Sequence, residues 1–422
     1  MIDVQRATLD NGLKIVHCRD NSTAMAVFDV IYNVGSRDED PELTGMAHLF
    51  EHLMFGGSQN VANFDKALER AGGINNAWTS QDFTNFFDIL PAHNIETAFW
   101  LESDRMLSLA FTEKSLDVQR HVVIEEFKQT HLNRPYGDLY HHLYPLHYTV
   151  HPYRTPTIGK EISHLERITL DDVRQWFFSH YAPDNAVIAV VGNVEFERVV
   201  DLANKWFGSI PSRGIAARNL PQEPAQTEPR RKTVTANVPQ TIIVKTFPMP
   251  AHGEKGYREC DIITDLLAFG KSSRFFRNLV VGSKLFTEAD ASISGTDEAG
   301  MLSLTARLAD NSESTIKKAE EMLIDEACRI YSDPESLTQR ELTRSVNRYE
   351  STLTFSLMSS QNKATQLAIN EMQHTDINSL VDNYRKVTTD DIRRTAQFII
   401  DPNKCNTLVY RALKGHTINP LN

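Results

Sequence analysis

Residues 48–52 read His-Leu-Phe-Glu-His. On a helix, positions i and i+4 lie one above the other, so His48 and His52 can present two imidazoles to a single ion. Zn²⁺ takes neutral imidazole nitrogens readily, and a catalytic zinc site keeps one position open for water. Glu51, one step before His52, projects toward the same side. A metal that lowers the pKa of its water to about 7 makes hydroxide available at neutral pH. A carboxylate within hydrogen-bond reach then serves as general base, and afterwards as acid toward a leaving amine.

The alternative is coincidence, two helical histidines satisfied by surface contacts. With 15 histidines in 422 residues, chance supplies such a pattern in roughly 3 chains per 100, so the chemical reading is preferred. The His-x-x-Glu-His order is that of the inverted zincins. Two histidines leave the site one ligand short, and a carboxylate on a second helix is the natural third. Arg120-His121-Val122-Val123-Ile124-Glu125-Glu126 is the candidate segment; spacing alone does not choose between Glu125 and Glu126.

These residues need a scaffold. Residues 6–18 read as two extended runs around an Asn11-Gly12 turn, and Met25 to Asn33 is a further apolar run. A polar loop follows, and a helix starts near Thr44–Gly45. The stretches 94–109 and 115–129 carry apolar residues at helical spacing, as do 170–181 and 196–207. Residues 185–194 read as a buried strand. Between Ile210 and Arg231 lie four prolines with no aromatic residue and no helical stripe, the best linker in the chain. Beyond it the order strand, strand, polar loop, helix recurs, with a long helical stretch from Gln339 to about Met372 and a closing strand near 405–413. The expectation is an α+β fold of two similar domains, 1–210 and 232–422, joined by a 211–231 linker.

Composition sets the outer bounds. A hydrophobic fraction of 41% and a charged fraction of 23% are those of a globular protein. No run approaches the roughly 18 apolar residues of a membrane span, and no secretory signal is evident at the N-terminus. A cytoplasmic location is therefore expected, although a processed periplasmic form is compatible with the sequence. A net charge of −11 argues against nucleic-acid binding. Cys18, Cys260, Cys328 and Cys405 lie far apart, which suits buried inert thiols rather than disulfides or a cysteine metal site. His141, His142, His147 and His151 cluster with three tyrosines but match no standard ligand set, so packing is the preferred reading. Neither a P-loop nor a Gly-x-Ser-x-Gly elbow is present.

With these motifs in hand, the chain resembles the pitrilysin/insulysin family of zinc peptidases, which includes the mitochondrial processing peptidases. The resemblance runs through GMAHLFEHLMFGGS, AGGINNAWTSQDFTNFF (Ala71–Phe87), HPYRTPTIG (His151–Gly159) and YAPDNAVIAVVGNV (Tyr181–Val194). It implies a half-length member with two homologous domains of mostly antiparallel sheet covered by helices, forming half of a clamshell. It also implies Zn²⁺ as cofactor, held by His48, His52 and Glu126, with Glu51 as catalytic base. Asn76, Ala77, Trp78 and Thr79 would form a substrate-binding edge strand, working by strand addition.

Two departures from the family pattern stand out. Gln119 occupies a position where the family typically carries a Glu thought to assist catalysis, which lowers the expected activity but not zinc binding. Val280 and Thr287 occupy the positions of an Arg and a Tyr that contact substrate and the developing oxyanion. Such donors are worth roughly 3–4 kcal/mol in comparable sites. Their loss implies a zinc-dependent endopeptidase subunit whose homologous partner supplies the pair. A weakly active homodimer and a non-catalytic scaffold subunit are the alternatives.

Overall fold

The structure, a computed structural model, describes residues 2–333, 335 and 337–413. Its first sheet has six strands in the order β1-β2-β6-β3-β5-β4. They are β1 Gln5–Thr8, β2 Lys14–Arg19, β3 Met25–Tyr32, β4 Ile74–Thr79, β5 Thr84–Pro91 and β6 Ala186–Gly192. Every neighbouring pair is antiparallel except β2 with β6. The second sheet contains β7 Arg230–Ala236, β8 Ile242–Met249, β9 Phe286–Ser294, β10 Gly300–Leu308 and β11 Asn406–Ala412, in the order β7-β11-β8-β10-β9. Its one parallel pair is β7 with β11. Strand for strand this repeats β2-β6-β3-β5-β4, so the element repeat seen in the sequence is a repeat of topology.

Both faces of the first sheet are covered. Side chains alternate along a strand, so Phe28, Val30 and Tyr32 of β3 join one cluster, with the helices Met46–Met54, Glu96–Leu107 and Phe196–Phe207. Val27 and Ile31 face the other way, against Ala364, Leu367 and Ala368 of the helix Ser360–Met372. Burial on both faces explains why β3 reads as a continuous apolar run rather than an alternating one. Truncating Leu367 to Ala would cost about 2–5 kcal/mol in such a position.

The second sheet is treated alike. Leu143 of the helix Leu139–His147, with Tyr148 and Tyr153 just beyond it, packs on Ile242, Val244, Leu408 and Tyr410. Cys260, Ile263, Leu323 and Ile392, from three other helices, join Phe247, Leu302 and Val409 in a separate cluster.

The compact units are consequently not contiguous in sequence. One comprises the chain through Lys128 with Thr155–Leu220 and Thr352–Leu380; the other comprises Gln129–Arg154, Pro221–Ser351 and the chain from Val381. The Leu220/Pro221 division falls inside the 211–231 linker, whose last two residues begin β7. The contiguous spans 1–210 and 232–422 therefore miss two exchanged segments, each of which covers a sheet face. The stretch Gln339–Met372 is two helices, Gln339–Ser356, which is divided between the units after Ser351, and Ser360–Met372, which belongs wholly to the first. Ser359 caps the second by accepting the Asn362 N–H, the usual role of serine at that position.

No disulfide joins the cysteines among the described residues: Cys18, Cys260 and Cys405 are buried thiols and Cys328 is partly so. His147 is enclosed, bonded to Thr246 Oγ1 at 2.9 Å and to Asn406 Nδ2 at 3.2 Å, and burial lowers its pKa to about 4. That part of the histidine group is core. No described helix is long and apolar enough to cross a membrane.

Candidate metal centre

The helix Met46–Met54 buries Met46, Ala47, Leu49, Phe50, Leu53 and Met54. Phe50 packs on Tyr181, ring centroids 4.4 Å apart. His48, Glu51 and His52 are left together on the opposite, half-open face, with the two imidazole centroids 4.9 Å apart.

The start of this helix is held from outside. Gly45, its N-cap, has φ 91°, a left-handed conformation that favours glycine. A glycine offers no side chain to cap the first N–H groups. The buried carboxyl group of Glu39 accepts them instead, Gly45 N–H on Oε2 and Ala47 N–H on Oε1, each at 2.9 Å. Arg37, nearby in the same loop, is buried against Asp82 at 2.9 Å. The 36–45 loop, polar by sequence, thus buries Arg37, Glu39 and Thr44 beneath an exposed tip at Asp40–Glu42 and braces the His helix.

The third arm is the helix Glu113–Phe127, fixed by Arg120, whose Nε and Nη2 donate to the carbonyls of Leu165 (3.1 Å) and Ile168 (2.6 Å). Its last turn brings Glu126 Oε2 to 3.8 Å from His48 Nε2 and 3.6 Å from His52 Nε2. One ligand atom from each of the three residues lies within 4.8 Å of the others. Tetrahedral zinc bonds of roughly 2.0–2.1 Å put ligand atoms about 3.4 Å apart, so two imidazoles and one carboxylate at this spacing fit the ion. Glu125 points elsewhere and pairs with Lys128 at 2.7 Å. The carboxylate left open by spacing is therefore Glu126 in space. Among the described residues this is the single group of three or more ligand-type side chains.

Electrostatics suit the donors. Burial lowers the His52 pKa, opposed by Glu126 and by a hydrogen bond donated to Gln119, and the net lowering favours the neutral imidazole a metal requires. Burial raises the Glu51 pKa; Thr79 opposes this, and Glu126 adds to it. Thr79 Oγ1 donates to Glu51 Oε2 at 2.5 Å.

Thr79 ends β4, the outer strand of its sheet. Asn76, Ala77 and Trp78 precede it in the same strand, paired with Phe87, Phe86 and Asn85 of β5. Ala77 packs toward the cluster that includes the His helix and Trp78 toward the opposite one. The Ala77 N–H is taken by Asn76 Oδ1 at 2.9 Å. All four expected substrate residues thus share one open edge that ends at Glu51. In the other unit, Val280 is half-buried against its core and Thr287 sits exposed on β9, accepting from Gln240 Nε2 at 2.9 Å. Neither offers a cation or a phenol.

Sequence reasoning missed Glu39 and the anchoring role of Arg120. A capping box has a three-residue spacing; Glu39 stands six residues before Gly45, so no local pattern marks it.

The chain is similar to known proteins along most of its length. Residues 14–159 match the family model "Insulinase (Peptidase family M16)" and residues 167–349 match "Peptidase M16 inactive domain". Zinc protease PqqE of Helicobacter pylori is 33% identical over 291 residues, 68% of this chain. The matched stretch spans 65% of that relative, just under two thirds of its length. An uncharacterized zinc protease of Bacillus subtilis, YmxG, is 25% identical over 93% of this chain and 95% of its own. Among solved structures, a protease from Helicobacter pylori superposes with a TM-score of 0.88 at 27% identity, over 97% of this chain and 100% of that one. The two family models follow one another along most of the chain, and the protein belongs to the insulinase, or M16, family of peptidases.

Proposed function

We propose that this chain is the zinc-bearing subunit of an endopeptidase. The observation that carries the reading is the convergence of His48, His52 and Glu126 within 4.8 Å, beside a Glu51 on the same helix face. Zinc held there would supply Lewis acidity and lower the pKa of a water molecule toward neutrality. Glu51 takes the proton from that water and later returns it to the leaving amine. Thr79 holds one Glu51 oxygen, which leaves Oε1 for the proton. A peptide adds to the β4 edge through its main chain, displacing the Asn76 amide from the Ala77 N–H, with Ala77, Trp78 and Thr79 alongside. Such a site acts on extended segments, because only an extended chain can complete the edge.

No residue at positions 280 or 287 can stabilise the oxyanion, so the reading includes a homologous partner subunit that supplies an Arg and a Tyr. The match of residues 167–349 to a model described as an inactive domain supports the same division of labour. A scaffold without activity would have no need to keep both histidines, Glu51 and Glu126 in register.

The test is zinc content together with peptide hydrolysis, for the chain alone and mixed with a homologous chain that carries the Arg/Tyr pair. The expected result is one zinc per chain, lost in His52→Ala and kept in Glu51→Gln, with hydrolysis in the mixture only. Absence of stoichiometric zinc would sink the enzyme reading, and full activity of the chain alone would sink the partner requirement.

A further inference from the structure

The histidines that cluster in the sequence between 141 and 151 separate in space. His142 places Nε2 3.1 Å from Asp138 and Nδ1 3.0 Å from Lys232 Nζ. His147 is core, and so is His151, whose Nδ1 accepts the Tyr153 N–H at 3.2 Å. His141 turns instead toward a histidine outside that group. From the helix Leu139–His147 it meets His131 of the wide turn Lys128–Leu132, with ring centroids 5.1 Å apart and planes at 79°. Both rings are half-buried, and both belong to the unit that lacks the metal centre.

Among the described residues one other pair of histidine rings comes this close: His48 and His52, 4.9 Å apart with planes at 84°. The spacing is one that a shared ion requires. A zinc–nitrogen bond of roughly 2.0–2.1 Å puts the ring centre about 3.2 Å from the metal, so two rings at a tetrahedral angle stand about 5.2 Å apart. Edge contact between rings without an ion spans roughly 4.5–7 Å, so distance fits both readings and a second feature separates them. Thr130 Oγ1 lies 2.6 Å from His131 Nδ1. A ligating histidine characteristically has its other ring nitrogen held by an oxygen, which sets the tautomer and aims the ring. Here Nδ1 is the nitrogen held, and Nε2 is the one that would face an ion. Wide turns of the π type are also frequent at functional sites.

We propose that His131 and His141 bind a second divalent transition-metal ion, of the zinc, copper or nickel class. Two imidazoles without a carboxylate select such borderline cations over Mg²⁺ and Ca²⁺, which prefer oxygen. The nearby carboxylate, Asp138, is committed to the Tyr410 hydroxyl at 2.7 Å and to His142. No third His, Cys, Asp or Glu completes the set among the described residues, so the remaining coordination positions are filled by water. Such a site holds its ion more weakly than one with three protein ligands, and the ion exchanges readily.

The experiment is zinc titration of the full, untagged chain by equilibrium dialysis, on wild type and on His48→Ala with His52→Ala. The double variant removes both imidazoles of the first centre, so the outcome does not depend on that centre. The expected result is one weakly held zinc per chain in the double variant, and the same ion in wild type beyond any tightly held one. His141→Phe keeps a ring in the contact and removes the ligand. It should melt like wild type and weaken the second ion by more than about tenfold, the low end of the loss from even an outer-shell partner. His131→Gln, which keeps a hydrogen-bonding group beside Thr130, should do the same. Cu²⁺ loaded into the double variant should show two imidazole nitrogens in its electron paramagnetic resonance spectrum, and one after His141→Phe. His142→Ala, from the same cluster but paired with Asp138, should leave the second ion in place. Absence of a second ion, its persistence in both His141→Phe and His131→Gln, or an equal loss in His142→Ala would overturn the proposal.

Discussion

Thr79, the last residue of β4, donates its hydroxyl to Glu51 Oε2 at 2.5 Å. One residue of the open sheet edge thereby fixes the carboxylate that serves as proposed base. A peptide added to that edge, as proposed, would lie beside the carboxylate that Thr79 holds.

Replacing Thr79 with Val should therefore leave zinc in place and slow turnover. A hydrogen bond to a charged group is worth about 1.5–3 kcal/mol, so kcat should fall at least about tenfold, and Thr79→Ser should restore most of it. Metal analysis and steady-state kinetics on the two variants check this. Loss of zinc together with activity would show that Thr79 supports the fold of the site instead.

Glu39 offers a stability test with a sign. Its carboxyl group is the acceptor for two N–H groups at the start of the His helix, so Glu39→Ala should cost about 2–5 kcal/mol by leaving both unpaired. Burial pushes its pKa from 4.5 up to about 8, against the pull of the Ala47 and Gly45 N–H groups. The folded state then binds more protons than the unfolded state between those values, and stability falls as pH rises through that window. Glu39→Gln removes that slope. Denaturation of wild type and Glu39→Gln at pH 5 and pH 8 should show the wild-type advantage shrinking toward pH 8. A widening advantage would mean that the helix N-terminus holds the charged form.

How much of this was legible depends on the range of each signal. His48, Glu51 and His52 are a local pattern within one helix and could be read directly. The choice of Glu126 over Glu125 could not, because adjacent helical residues point about 100° apart and only packing of the second helix decides which reaches the histidines. The family resemblance supplied what spacing did not. The break between Gln339–Ser356 and Ser360–Met372 carries no Gly or Pro, so periodicity ran through it. The assignment of Ser360–Met372 to the first unit is invisible to any local window. The helix Leu139–His147 was hidden by its histidines, its tyrosines and an internal Pro145, all of which argue against a regular helix.

The exchanged helix makes its own prediction. Thr365 Oγ1 donates to Asp29 Oδ2 at 2.6 Å, and Asn85 Nδ2 holds the other oxygen at 2.6 Å. Asp29 is enclosed within β3, and burial raises its pKa to about 7. Thr365→Val keeps the shape of the side chain and strips one partner from a buried carboxyl, which should destabilise by about 1–3 kcal/mol. A fall in Tm without change in zinc content is the expected signature. An unchanged Tm would mean that this helix is not docked through Asp29.

The sharpest test of the metal assignment compares neighbours. Glu126 and Glu125 share a helix, a charge and a propensity, and differ in where packing aims them. Glu126 Oε2 lies within 4 Å of both imidazoles, whereas Glu125 is half of a surface pair with Lys128. Exposed pairs contribute about 0–1 kcal/mol, so Glu125→Gln should be silent in both zinc affinity and stability. Glu126→Gln swaps an anionic oxygen ligand for a neutral one and removes the charge that balances the ion. Zinc affinity should drop by well over the 10–100-fold typical of losing an outer-shell partner, measured by competition with a chelator. Folding should be preserved, since Glu126 is partly exposed and the helix is anchored through Arg120. If the two variants hold zinc equally well, Glu126 is not a ligand, and the third donor must be sought beyond the Glu113–Phe127 helix.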